Sequence, residues 1–297
     1  MKTDSLNRRL RFDKPNPKVK RILPQEADFL LFEAISRHGP LPTHYLYAFT
    51  RHLRKDYSQL QNRLTEFYNG DEDGPYLTRP PQQFAGFKAR YQHSVYDLAP
   101  RAKIALAERG TPAQFSPKRT DPFLHQLMGA CVGASLEIIA PRHGLRYVPR
   151  EEILTHAKCP IQNMAVKLPE GKLIPDDLFA LENAEGKKRY FAVEIDRNTE
   201  SIKPRKFDHN TFGKKIAGYK QVMDTGMAHK QWGFHNLHIL TVTTNHTHAK
   251  NILDYVQSQG SKKLTDRFYI AVEPNFGANW RVPKEILEHL FSDITNP

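Results

Sequence analysis

The chain has only two cysteines, Cys131 and Cys159, in 297 residues. Two thiols cannot form a framework of several disulfides or a four-cysteine zinc site, so the sequence assigns them no chemistry. Long apolar runs are missing too. No stretch approaches the roughly 18 consecutive apolar residues of a membrane span, and the first 21 residues have no apolar segment like that of a signal peptide. We therefore expect a cytoplasmic protein.

Three common catalytic motifs are also absent. The sequence has no glycine-rich phosphate loop ending in Lys-Ser or Lys-Thr, no H-E-x-x-H and no G-x-S-x-G. Nucleotide hydrolysis, zinc proteolysis and serine hydrolysis therefore lack support. The chain does contain 39% hydrophobic and 26% charged residues, a composition typical of a soluble protein, and its length suits two domains.

Positive charge is in excess, with a net charge of +12. Residues 1–120 hold 21 Lys and Arg against 12 Asp and Glu. Eight of these basic residues lie in the first 21 positions, which have almost no hydrophobic periodicity and predict a disordered arm over residues 1–23. The arm is either a solvated tail or a contact for the phosphates of a nucleic acid. A basic protein binds such a polyanion largely by releasing its counterions.

Residues 24–113 predict a small domain of three helices followed by a hairpin. Apolar residues recur at helical spacing from Pro24 to Gly39, from Pro42 to Thr50 and from Tyr57 to Tyr68. In the third helix Leu60, Leu64 and Phe67 define the inner face.

The outer face of this third helix, and the turn before it, carry side chains suited to base edges and phosphates. Together with one arginine of the following hairpin, the candidate DNA-binding residues are Arg51, Arg54, Lys55, Ser58, Gln59, Asn62, Arg63 and Arg79.

Two short strands, near residues 76–80 and 94–98, predict a wing, and Pro100 starts a closing helix that ends at Gly110. This order predicts a winged helix-turn-helix of the α+β class, and the basic charge favours DNA binding over a plain α+β domain. Residues 114–122 predict a linker. From residue 121 to residue 297, a long helix is followed by strands separated by helices, which predicts an α/β domain.

Acidic residues cluster on a predicted hairpin of the second domain, with strands Leu173–Leu181 and Arg189–Asp196. Alternation places Glu194 and Asp196 on one face of the second strand, and Asp176 of the first strand can approach them. The trio is either a solvated face or a site for a hard divalent cation, Mg²⁺ or Mn²⁺.

Pro175-Asp176, a strand bearing Glu194 and a following helix together resemble the restriction-endonuclease, or PD-(D/E)xK, fold. The resemblance implies that Asp176 and Glu194 hold a metal ion and that a lysine two positions after the glutamate helps to generate the attacking hydroxide. Here position 196 is aspartate. A lysine of the following helix is the alternative, from Lys214, Lys215 or Lys220, with Lys215 as our candidate. The candidate catalytic residues are Asp176, Glu194, Asp196 and Lys215.

The whole pattern is similar to the replication-relaxation family of plasmids, phages and integrative elements. The resemblance rests on a Val95-Tyr-Asp-Leu98 strand, a helix beginning near His125, the Pro-Asp strand, the string Glu194-Ile-Asp-Arg-Asn-Thr-Glu200 and a helix with lysine and tyrosine. It covers about residues 24–245. It implies DNA binding connected with replication, relaxation or mobilisation, with a relaxase or a replication protein as partner.

Two weaker patterns have structural interpretations that we favour. His246-Thr-His248 is similar to the metal-binding pair of relaxases, but Asn245 to His248 is more typical of a helix start. Tyr219 lies on the same helix side as Lys215 and is more typical of an aromatic residue at the edge of the core.

The sequence thus leaves three hypotheses. The first is a DNA-binding protein of a mobile element, with a homodimer as one form. The second is a metal-dependent endonuclease or nickase, and the third is a partner-binding module without DNA affinity.

Overall fold

The fold comes from a computed structural model, which describes residues 21–84, 94–111, 122–159, 164–169, 171–197, 202, 211–274, 276 and 286–295. The chain divides into two compact units. Unit 1 comprises Met1–Ala134 and Asn279–Ile286, and unit 2 comprises Ser135–Ala278 and Leu287–Pro297. The predicted basic arm up to residue 20 and the predicted linker up to residue 121 lie outside the described residues.

Unit 1 contains the three predicted helices, α1 (Glu26–His38), α2 (Thr43–Thr50) and α3 (Tyr57–Asn69). Asp56, the residue before α3, caps the helix: its carboxylate accepts a hydrogen bond from the Gln59 amide at 2.8 Å. This is an ordinary N-cap interaction. Leu60, Leu64 and Phe67 are fully buried, which confirms the predicted inner face of α3.

A three-stranded antiparallel sheet completes this part of unit 1. Its strands are β1 (Leu41–Pro42), β2 (Leu77–Thr78) and β3 (Val95–Leu98), in the order β1-β3-β2. The sequence predicted β2 and β3 but not the two-residue β1. Helix α4 (Pro100–Glu108) follows β3 and begins with proline, as predicted. The part of the connection between β2 and β3 that spans residues 85–93 lies outside the described residues.

Helix α5 (Phe123–Ile139) and the 3₁₀ turn Ala140–His143 form one apolar helical segment. By length and composition alone, its 21 residues are sufficient to cross a membrane, which the sequence did not lead us to expect. The most apolar part of the segment is 61% buried inside the protein. The core helix of a soluble protein has the same properties, so the segment is weak evidence for a membrane.

Unit 2 is built on a mixed five-stranded sheet. In chain order the strands are β4 (Arg146–Pro149), β7 (Asp177–Glu182), β8 (Lys188–Asp196), β9 (Leu237–Thr243) and β10 (Phe268–Val272), and a separate hairpin joins β5 (Val166–Leu168) to β6 (Gly171–Leu173). The order in the large sheet is β10-β9-β8-β7-β4. Strands β8, β9 and β10 are parallel, whereas β7 is antiparallel to both β8 and β4.

The remaining helices of unit 2 are α6 (Arg150–Ile153), α7 (Phe212–Thr225), α8 (His246–Ser258), α9 (Lys262–Thr265) and α10 (His289–Thr295). Ile216 of α7 and Ile252 of α8 belong to a buried cluster that includes Ala192 of β8 and Ile239 of β9. Because side chains alternate along a strand, Glu194 and Asp196 point to the same helix-covered face as Ala192. Both units therefore mix helices with strands, as the expected α+β and α/β classes require.

Candidate functional sites

The surface of α3 retains several of the polar side chains predicted to contact DNA. Ser58, Gln59 and Asn62 are exposed, opposite the buried leucines of the same helix. Arg51 and Lys55, before the helix, are exposed as well. These five residues form what we call the α3 surface.

Two predicted DNA contacts are instead engaged by an aspartate of α1. The Arg54 Nη2 atom lies 2.6 Å from Asp28 Oδ1, and Arg63 Nη2 lies 2.8 Å from Asp28 Oδ2. Asp28 is 1% exposed, and the side chains of Arg54 and Arg63 are 8% and 19% exposed. Arg63 also donates to Glu66 at 2.7 Å. These three residues, Asp28, Arg54 and Arg63, form the Asp28 network. It ties α3 and the turn before it to α1.

Arg79, the predicted contact on the hairpin, is half-buried against aromatic rings. Its guanidinium donates to the Tyr96 hydroxyl at 2.6 Å and lies 4.3 Å from the centre of the Tyr68 ring. Three residues of the predicted arm, 21–23, are described. Arg21 is exposed 3.6 Å from Asp73, but Ile22 is buried and its amide donates to Asp71 at 2.5 Å, so the prediction of a disordered arm is wrong at Ile22. The structure thus divides the predicted DNA contacts into an exposed set and a set with partners inside unit 1.

In unit 2, Glu194 lies at the centre of the candidate acidic site. Its side chain is fully buried. Lys215 Nζ of α7 donates to Glu194 Oε2 at 2.7 Å, and the Tyr219 hydroxyl donates to Oε1 at 2.5 Å. Lys215 and Tyr219 are four residues apart, so they project from the same side of α7. Lys220, another lysine that the sequence offered, pairs with Asp224 at 3.2 Å.

Burial changes the protonation of this group. It raises the pKa of Glu194 to about 7, and the nearby charge of Asp176 raises it too, whereas Lys215 lowers it. Burial also raises the pKa of Tyr219 well above its usual value, and the Glu194 carboxylate adds to this effect. Tyr219 is therefore a neutral hydrogen-bond donor that orients Glu194, and it is too deeply buried to attack a substrate itself.

Asp176 lies beside Glu194, at the entrance to β7. Its amide donates to Val193 O at 3.0 Å, and its Oδ2 atom accepts from the Ile195 amide at 2.8 Å. These two bonds hold Asp176 against β8 on either side of Glu194. Unlike Glu194, Asp176 is partly exposed.

Asp196 has a different partner from the rest of the predicted trio. Its Oδ2 atom lies 2.6 Å from His248 Nε2, and both side chains are buried. Asn245 caps α8 by accepting from the His248 amide at 2.9 Å, which agrees with the helix start that we favoured. Within the described part of the chain, no group of three or more His, Cys, Asp or Glu side chains is arranged to hold a metal ion.

Sequence reasoning missed two threonines of β9. Thr241 pairs in register with Glu194, and Thr243 pairs with Asp196, so their side chains share the helix-covered face. Both hydroxyls are buried and have no hydrogen-bond partner among the described residues. A Thr-x-Thr pattern at the end of a mainly apolar strand was the signal available in the sequence.

The comparisons with known proteins give one result. No curated protein and no solved structure matches the chain. A family model described as replication-relaxation matches residues 32–237, which run from α1 to the first residue of β9 and include the α3 surface, Asp176, Glu194 and Lys215. The resemblance inferred from the sequence is thereby confirmed, and the chain belongs to the replication-relaxation family.

Proposed function

We propose that the chain is a cytoplasmic protein of a mobile genetic element that binds double-stranded DNA through a winged helix in unit 1. The observation that carries the proposal is the arrangement of α1, α2 and α3 with a β1-β3-β2 sheet, in which α3 buries its apolar side and exposes Ser58, Gln59 and Asn62. In winged-helix readers an exposed helix of this kind enters the major groove.

Charge supports the same proposal. The net charge is +12, and most of the excess lies in the first 120 residues. Phosphate contacts from Arg51, Lys55 and the basic arm position the protein, and the amides of Gln59 and Asn62 read base edges. Because the Asp28 network holds Arg54 and Arg63, we assign these two arginines to the support of α3 rather than to direct contact.

Fluorescence anisotropy with a labelled duplex tests the proposal. We expect affinity to fall steeply between about 50 and 200 mM salt. Lys55→Ala removes one phosphate contact and makes the log–log salt slope shallower by about 0.9. Lys103→Ala, which removes the same charge from an exposed position on α4, leaves the slope unchanged. Equal slopes in the two variants, or binding that is insensitive to salt, contradicts the proposal.

Gln59→Ala combined with Asn62→Ala tests base reading. Each lost amide contact weakens discrimination between target and mismatched duplex by about 1–3 kcal/mol. This pair is a cleaner test than Arg63→Ala, which also opens the Asp28 network. Family membership supports a role in replication, relaxation or mobilisation, and a relaxase, a replication protein or a second copy of the chain is the protein partner that we propose.

We propose as a second candidate that unit 2 is a metal-dependent endonuclease or nickase. The observation that favours it is the 2.7 Å distance between Lys215 Nζ and Glu194 Oε2, because an ammonium group beside this carboxylate can take the role that the resemblance gives to a lysine at position 196. The donor set fits Mg²⁺ or Mn²⁺ in kind: Asp176 and Glu194 offer carboxylate oxygens, and the Thr241 hydroxyl is buried without a described partner.

When bound, such an ion supplies charge to activate water and to stabilise the phosphoryl oxygens. The residues have separate tasks. Asp176 and Glu194 would hold the ion, Tyr219 orients Glu194, and the Lys215 ammonium would position the attacking water and stabilise the hydroxide formed from it, with the proton passing to solvent. Asp196 is absent from this set because His248 engages it.

A supercoiled plasmid incubated with Mg²⁺ or Mn²⁺ tests the second candidate. We expect nicked circles with the wild type. With Lys215→Met we expect nicking to be at least about a hundredfold slower, which is the order of magnitude for the loss of one fixed electrostatic contact to the reacting groups. Lys220→Met is the matched control on the same helix. If the wild type and Lys215→Met leave the plasmid equally intact, or nick it equally, the nuclease proposal is refuted and DNA binding by unit 1 is unaffected.

A further inference from the structure

A small cleft in unit 2 is lined on its rim by basic side chains. It has about 80 Å³ of space for water-sized molecules and lies where the end of α7, the π-helical turn Ala228–Trp232 and α9 meet the start of β9. Four basic side chains surround it: His229, His235, Lys263 and Arg267. Its floor is apolar, so the polar chemistry of the cleft comes from the basic rim.

The rim offers hydrogen-bond donors in fixed positions. Lys263 Nζ donates to Met223 O at 2.5 Å, which holds the ammonium at the cleft and leaves two of its three N–H groups for a ligand. The Arg267 guanidinium makes no ion pair or hydrogen bond with the part of the chain that the structure describes. His229 and His235 stack with their ring centres 3.7 Å apart, which fixes both imidazoles.

Acidic residues around the cleft are few. No Asp or Glu stands between Asp224 and Asp254 in the sequence, and Asp224 pairs with Lys220. Asp266, next to Arg267, is an exposed carboxylate outside the lining of the cleft. The exposed Lys230 adds a further positive charge beside His229. A concave surface of one charge sign concentrates ligands of the opposite sign.

We propose that this cleft binds a phosphate group. A single water needs roughly 10–15 Å³ of comparable space, so the cleft admits an anion of several heavy atoms. Phosphate oxygens accept from ammonium, guanidinium and imidazole donors, and those are the groups on the rim. Two sources share this chemistry: a backbone phosphate of DNA, for which the inference rests on the proposed function, and free phosphate, for which it does not.

The first experiment uses inorganic phosphate and needs no DNA. Phosphate is titrated into the full chain at constant pH and ionic strength, and the ring signals of the histidines are followed by NMR. We expect saturable shifts of the His229 and His235 signals in the wild type, and loss of saturation in Lys263→Gln combined with Arg267→Gln. The absence of saturable shifts in the wild type overturns the proposal.

A second variant guards against a change in folding. Lys263→Gln removes the bond to Met223 O, so His235→Ala, at an exposed ring without a described hydrogen bond, is tested beside it. We expect the phosphate affinity of His235→Ala to fall while its melting temperature stays that of the wild type. Unchanged phosphate affinity in both variants overturns the proposal.

Salt titrations of duplex binding then distinguish the two sources. If the cleft contacts the DNA backbone, Lys263→Gln with Arg267→Gln makes the log–log salt slope shallower by about 0.9, as the loss of one phosphate contact requires. Lys220→Gln with Lys250→Gln is the control, since it removes the same charge from exposed lysines of unit 2. Saturable phosphate shifts with an unchanged slope support the site with free phosphate as its ligand. If the chain does not bind DNA, the proposed function is refuted. The NMR titration with inorganic phosphate still decides whether the cleft binds phosphate.

Discussion

Glu194→Gln is the substitution whose effect on stability is most directly determined by the structure. The glutamate is fully buried, and its two oxygens accept from Lys215 and Tyr219. Burial raises its pKa to about 7 from the ordinary value of 4.5. Glutamine has nearly the same shape but no titrating proton. The variant therefore isolates the contribution of this one ionisation.

The sign of the effect follows from the direction of the pKa change. The folded protein holds the Glu194 proton more tightly than the unfolded chain does, so this contribution to stability is complete below pH 4.5 and is lost as the pH rises through about 7. At 1.36 kcal/mol per pKa unit, the change amounts to about 3 kcal/mol. The free energy of unfolding of Glu194→Gln should rise relative to the wild type by that amount between about pH 4.5 and 8.

Urea unfolding at a series of pH values, in EDTA, measures this difference. Trp232, 1% exposed in the core of unit 2, reports the transition when the other tryptophan is replaced by phenylalanine. Glu152→Gln is a control of opposite sign, because hydrogen bonds from Arg146 lower the Glu152 pKa and its contribution is lost as the pH falls. If the difference between Glu194→Gln and the wild type stays constant from pH 4.5 to 8, the reasoning is refuted.

Two further predictions concern stability. Asp28→Ala leaves the two arginines of the Asp28 network without their carboxylate and should lower the free energy of unfolding of unit 1 by on the order of 3 kcal/mol. Glu26→Ala removes a carboxylate that is 77% exposed and paired with Arg109, and it should change that free energy by less than about 1 kcal/mol. In α7, a Cβ at Gly213 would lie 2.3 Å from Ile202 O, so Gly213→Ala should destabilise unit 2 by roughly 1–3 kcal/mol. A Cβ at Gly218 would meet the ends of two leucine side chains, Leu168 at 3.3 Å and Leu173 at 3.4 Å, so Gly218→Ala should stay within about 1 kcal/mol of the wild type. Equal effects of the two glycine substitutions in urea unfolding would count against the contact with Ile202.

Local patterns predicted much of unit 1. The apolar spacing in α3 gave its buried face because amphipathic periodicity reports burial directly. Strand β1 was not predicted, because two residues are too few to show the alternation of apolar and polar side chains that indicates a strand. The sequence also could not show that Arg54 and Arg63 meet Asp28, which lies 26 and 35 positions away. When charges are counted from the sequence, Arg54 and Arg63 look the same as Arg51 and Lys55. The fold shows that the first two are largely buried against Asp28 and the last two are exposed.

In unit 2 the hairpin of β7 and β8 was predictable from alternation and a glycine-bearing turn. Strand β8 lies at its predicted position, whereas the predicted strand Leu173–Leu181 was wrong at its start: Leu173 ends β6, and β7 begins only at Asp177. Three lysines of α7 were alternatives for the lysine beside Glu194. Helical periodicity was not used to choose among them, although it distinguishes Lys215 from Lys214. Lys215 lies four residues before the buried Tyr219 and seven before the buried Val222, which places it on the inner side of the helix. Lys214, one position earlier, is exposed.

Under the nuclease proposal, the position of Lys215 also accounts for aspartate at position 196, where the motif that the sequence resembles has lysine. Residues two apart on a strand are about 6–7 Å apart along its axis, so a lysine at 196 would have to reach back along β8 to Glu194. Lys215 approaches from α7 instead and donates to Glu194 directly, at 2.7 Å. Position 196 is then available for a structural role, and its carboxylate binds His248, which fixes the start of α8 against the end of β8. A departure from the sequence motif at residue 196 is thus compatible with an intact acidic site, because the ammonium group comes from a helix.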